Sequence, residues 1–74
     1  MPDIVWTDYL KYRAELRGFD IELLEKVIRY SDERYYDTET GRFVIVGRHL
    51  DELIIIPFEI VDDKVTPVTV HSVT

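Results

Sequence analysis

The sequence predicts an α+β fold, with two N-terminal helices packed on one face of a four-stranded antiparallel β-meander. Three observations predict it. Apolar side chains recur at helical spacing between residues 7 and 31, within two segments that each open on a capping residue. After Ser31 the period changes, and four segments rich in aromatic and β-branched residues follow. The turns between those segments are short, which suits strands that pair with their sequence neighbours.

The first helix is expected over about residues 7–17. In "TDYLKYRAELRG" the residues Tyr9, Tyr12 and Leu16 recur at helical spacing. Thr7 suits the N-cap, Asp8 the positive end of the helix, and Gly18 the C′ position. The second helix is expected over about 20–31. Asp20 can cap it, with Phe19 and Leu24 placed as a hydrophobic staple. Ile21, Leu24 and Ile28 form one row, with Leu23 and Val27 beside it, so a wide face should be buried.

Strands are expected at about 33–37, 42–48, 52–60 and 64–72. "TETG" reads as the first hairpin turn, with Gly41 supplying a positive φ. "HLD" and "VDDK" mark the next two turns. "ELIIIPFEI" is apolar at successive positions, so that strand should be central with both faces at least partly covered. Pro57 inside it cannot donate a ladder hydrogen bond, and Pro67 poses the same problem in the last strand, so a bulge or strand end is expected nearby.

At 74 residues the chain is read as a single domain, 1–74. A chain this short buries only about 60% of the surface its unfolded form exposes, so a partner or oligomer is expected to complete the core. It has no cysteine, which fits a reducing cytoplasm and excludes thiolate zinc sites. The start has no basic and apolar leader, and the longest apolar run, Leu53 to Phe58, is far short of a membrane span. A soluble cytoplasmic protein is therefore expected. Fifteen acidic against nine basic residues give a net charge of −6, which argues against non-specific nucleic-acid binding but leaves room for a local basic groove.

Few residues carry candidate chemistry. Arg13 and Arg17 lie four apart on the first helix, one turn below Tyr9. Two guanidiniums on one ridge can bind successive phosphates, and a tyrosine can stack on a base. The plainer reading is a solvated face pairing with Asp8, Glu15 or Glu22. Arg48 and His49 close the second strand, where a histidine beside an arginine could join proton transfer to a phosphate clamp. Adjacent strand residues point to opposite faces, however, and an exposed turn histidine is the simpler expectation for His49. Alternation in "VTVHSV" puts Val68 and Val70 on one face and Thr69, His71 and Val73 on the other. With the helices on the valines, His71 stands on the open face, as a ligand-facing group or as a plain surface residue. Two histidines without short ligand spacing give no metal site, and no phosphate loop or nucleophile elbow is present.

The series "DYLKYRAELRGFD", "VIRYSDERYYD", "GRFVIVGRH", "LIIIPFEI" and "VTPVTVHSVT" resembles the BrnT-like branch of the RelE/ParE toxin superfamily, and related bacterial domains of unknown function. The resemblance covers nearly the whole chain through short motifs. It implies a RelE/ParE-like fold and the toxin of a type II toxin–antitoxin pair, cleaving RNA without a metal or other cofactor. It implies an antitoxin and RNA as partners, His71 and Arg48 as catalytic residues, Arg13 and Arg17 as phosphate ligands, and Tyr9 as a base-stacking residue. Such relatives continue past the last strand into a basic segment, so by this resemblance the chain ending at Thr74 is either shortened or a naturally reduced member, and both cases count against activity in the short form. The alternative is a non-catalytic interaction module of the same fold, binding a small partner protein or itself. A homo-oligomer is expected in either case, paired through an uncovered apolar strand edge.

Overall fold

A computed structural model describes residues 3–73 of the chain. Met1, Pro2 and Thr74, the ends of the expected 1–74 domain, lie outside the described residues. The elements are helices α1 (Asp8–Leu16) and α2 (Ile21–Tyr30), then strands β1 (Glu33–Asp37), β2 (Arg42–His49), β3 (Glu52–Val61), β4 (Lys64–Pro67) and β5 (His71–Ser72). The fold class is α+β, as the sequence predicts. No described helix is long and apolar enough to cross a membrane.

Local chemistry sets both helices. The Thr7 hydroxyl oxygen accepts from the Leu10 N–H at 3.1 Å and caps α1. Gly18 takes φ +80°, which lets its N–H reach the Glu15 carbonyl at 3.0 Å and the Phe19 N–H reach that of Ala14 at 2.8 Å. Those two bonds are the Schellman stop. Asp20 then caps α2 by accepting from the Glu22 N–H at 2.9 Å, while Phe19 and Leu24 are both buried. At the far end of α2, the Arg34 guanidinium donates to the carbonyls of Ile28 and Ser31, and the Ser31 hydroxyl donates to the Val46 carbonyl. A cation from the neighbouring strand thus closes the negative end of the helix.

The buried face of α1 differs from the expected one. Leu10 and Ala14 are buried, while Tyr9, Tyr12 and Leu16 are exposed. Tyrosines have both an apolar ring and a polar tip, so their helical spacing alone does not identify a core face. On α2 the buried set is Leu24, Val27 and Ile28.

The sheet runs β1-β2-β3-β4 antiparallel, with β5 also paired to β3. The expected single strand 64–72 is therefore two strands on one side of β3. Phe58 faces Pro67 and Ile55 faces His71, so three steps on β3 oppose four on the last segment. One extra residue is accommodated at 68–70, which makes a bulge. The cause lies in Pro57. Its carbonyl accepts from the Val68 N–H at 2.8 Å, so its ring nitrogen, which has no hydrogen, faces the same edge. The ladder loses a donor where the partner leaves it.

The extra residue also shifts the alternation. Val65, Pro67 and Val70 are buried against the helices, whereas Val68 is only half-buried, contrary to the pairing of Val68 with Val70. Turns follow residue chemistry less uniformly. Gly41 has φ +72° as expected, but Leu50, Asp62 and Asp63 adopt φ of +57°, +51° and +62° without being glycine. Asp62 and Asp63 form the two-residue primed turn between β3 and β4.

The helices cover one face, where Ile45, Ile54, Ile56 and Phe58 meet Leu10, Leu24 and Ile28. At Gly47 the backbone of β2 comes close to α2, and a Cβ there would stand 2.4 Å from Val27 Cγ1. β3 is central as predicted, yet its second face is not covered by any described element. Val44, Val46, Leu53, Ile55 and Pro57 lie half-buried there by mutual packing alone.

Candidate functional site: the open sheet face

Register places the open-face residues in rows across the strands. One row holds Asp37, Arg42, Glu59 and Thr66, with Arg42 Nε donating to Glu59 at 3.1 Å. The next holds Tyr35, Val44 and Pro57, and the third holds Glu33, Val46, Ile55 and His71. Arg48 and Leu53 form the last row. The middle of the face is therefore aliphatic and its perimeter is polar.

His71 is exposed on β5 and stands on this open face, where alternation places it. Arg48 is exposed on the same face of β2. With β3 between them and an offset of two residues, their backbones are about 12 Å apart, given strand spacings of about 4.8 Å and a rise of about 3.3 Å. Arg48 Nη1 donates to the Asp51 carbonyl at 3.4 Å, which turns it toward the hairpin and away from the row of His71. The two do not meet at one atom.

The helix ridge lies on the other side of the sheet. The Arg13 guanidinium sits 5.8 Å from the centre of the exposed Tyr9 ring, a cation–π contact, and its Nε is buried without a hydrogen-bond partner. Arg17 Nη1 donates to the Val70 carbonyl at 2.8 Å. It ties α1 to the final segment one residue before His71. Among the described residues neither arginine forms an ion pair with Asp8, Glu15 or Glu22. The structure thus joins Tyr9 to Arg13 and brings Arg17 beside the last strand, and leaves Arg48 apart from both at the end of β2.

His49 corrects a sequence expectation. It is 5% exposed and points among the helices rather than into solvent at a turn. Its Nε2 accepts from the Asp20 N–H at 2.9 Å, and its ring meets the edge of Phe19 with centroids 5.1 Å apart. Through that bond and ring contact His49 fastens the start of α2 to the end of β2. Counting by twos from Ile45 through Gly47 would have found it.

No cluster of three metal-ligating side chains occurs among the described residues. A pocket of about 390 Å³ near the end of α2 is lined by Ile4, Ile28, Arg29, Arg34 and Val65, among others, and includes none of the candidate site residues. The fold and this face define a small α+β domain whose sheet is packed on one side and bare on the other. No family model, curated protein or solved structure matches the chain.

Proposed function

We propose that this chain is a non-catalytic protein-interaction domain whose working surface is the open face of its sheet. The observation that carries this reading is the patch of Val44, Val46, Leu53, Ile55 and Pro57, contiguous across two strands and ringed by charge. An apolar centre inside a polar rim is the anatomy of a protein interface. It is a poor cradle for RNA, which is held by cations and aromatic rings. A photo-activated cross-linker at Ile55 should couple to protein in cells, while the same group at Tyr12, on the outer side of α1, should not. Equal coupling from both positions would refute the assignment.

A second reading is the RNA-cleaving toxin that the family resemblance implies, silenced by a cognate antitoxin. It is favoured by the common face of Arg48 and His71 and by the placement of Arg17 next to the last strand. His71 would serve in proton transfer and Arg48 would stabilise the phosphorane charge, which requires Arg48 to leave the Asp51 carbonyl and swing toward the row of His71. Arg13 and Arg17 would hold neighbouring phosphates, with Tyr9 stacking on a base. Expression should then arrest growth. Arrest that persists undiminished in both His71→Ala and Arg48→Ala would remove these residues from the site.

A further inference from the structure

We infer that the open face is closed by a second copy of this chain, packed sheet to sheet about a two-fold axis that runs along the strands between β2 and β3. This inference rests on reading that face as a protein-binding surface, and it names the partner. Edge pairing, the expectation from sequence, is poorly served by the structure. β3 has neighbours on both sides. The outer side of β4 is occupied where the Val5 N–H donates to the Val65 carbonyl and the Val65 N–H to that of Asp3, each at 2.8 Å. β1 is short and carries Glu33, Arg34 and Asp37, the charged pattern that discourages strand addition.

The face itself is self-complementary under that axis. A two-fold along the strands keeps each row at its own level and exchanges β2 with β3, and β1 with the last segment. Arg42 of one copy then meets Glu59 of the other, and Glu59 meets Arg42. Glu33 meets His71 in the third row. Val46 lies over Ile55, and Val44 over Pro57. Every like-charge confrontation in the outer row is avoided, and the two inner faces form the dry layer of a β-sandwich. An axis across the strands fails this test, because it sets the charged row against Leu53 and Arg48.

The size of the face sets the strength. Four strands at about 4.8 Å and seven residues at about 3.3 Å give a footprint of about 19 by 23 Å, at the small end for a specific interface. A micromolar Kd is expected rather than a nanomolar one.

Sedimentation equilibrium of the purified chain from about 0.5 to about 500 µM, a range that brackets such a Kd, should show a monomer–dimer equilibrium. Ile55→Lys should weaken it at least about tenfold. The sharper arm uses the rim. Arg42→Glu sets acid against acid where positions 42 and 59 of the two copies meet, and Glu59→Arg sets base against base there, so each variant alone should be monomeric. Mixed together, they should form a heterodimer. Each substitution breaks only an exposed ion pair, and unchanged circular dichroism checks that each variant folds. A wild-type chain that stays monomeric overturns the second copy as partner; cross-links from Ile55 to a different protein would then leave the interaction domain standing. A dimer indifferent to Ile55→Lys, or variants that do not rescue one another, would overturn the face-to-face arrangement.

Discussion

Gly47 is the point where the helix layer presses hardest on the sheet, and it offers a quantitative test of the packing. A Cβ built there stands 2.4 Å from Val27 Cγ1, 3.3 Å from Cγ2 and 3.4 Å from Cβ. Carbon atoms in contact prefer about 3.5–4.0 Å, so the overlap exceeds about 1 Å and α2 must lift off β2 to relieve it. Gly47 does not have a positive φ, so alanine brings no backbone strain, and its smaller unfolded-state entropy favours folding by about 0.4–1 kcal/mol. Overpacking costs about 1–3 kcal/mol, and this contact lies at the severe end, so Gly47→Ala should destabilise by about 2 kcal/mol net. Val27→Ala removes both γ-methyls from the buried face and should cost about 2 kcal/mol on its own. In the double variant the new methyl occupies space the valine vacates, so it should be more stable than the sum of the two by at least about 1 kcal/mol. Urea unfolding followed by the fluorescence of Trp6, the single tryptophan, measures all four corners of the cycle. Additive losses, or a neutral Gly47→Ala, would refute the close approach of α2 to β2.

Three further substitutions probe other parts of the chain. Leu50 is 75% exposed at φ +57°, so Leu50→Gly should raise stability by about 1 kcal/mol in thermal or urea unfolding. His49→Leu keeps an apolar side chain but removes the acceptor for the Asp20 N–H, and should cost about 1–3 kcal/mol with faster amide exchange at the start of α2. Arg17→Met retains the aliphatic stem and loses the bond to the Val70 carbonyl; amide exchange at residues 71–73 should accelerate while α2 is unaffected. Unchanged exchange at 71–73 would show that Arg17 does not hold the last segment.

The parts legible in the sequence are those decided by neighbours along the chain. The caps at Thr7 and Asp20, the stop at Gly18, the limits of α2 and the hairpin at Gly41 all follow from residues within one turn of each other. The misread parts depend on what lies across from a residue. Alternation places His71 on the open face, and the two prolines announce the bulge or strand end that follows Pro67; what the sequence cannot show is which edge of β3 the missing donor of Pro57 addresses, and so that the last segment resumes as a second strand. The buried side of α1 was obscured because Tyr9 and Tyr12 are as apolar in pattern as Leu10 and Ala14. His49 was obscured because a histidine next to a turn is usually wet, and only the position of Phe19 and Asp20 above it makes it dry. The bare face was half visible. Apolar residues at successive positions in β3 announce two apolar faces, but not that only one has a cover.

The extra residue at 68–70 has a consequence for chain length. It puts the two halves of the final segment out of phase, so that Val65 and Pro67 on one side and Val70 on the other all point inward despite an odd spacing between them. Deleting Thr69 would restore simple alternation from Pro67 through His71 and leave every inward residue inward. The same deletion within β2 or β3 would turn half a strand inside out. Slack of one residue is thus confined to a single stretch of the sheet, and there the chain can shorten by one while His71 keeps its outlook.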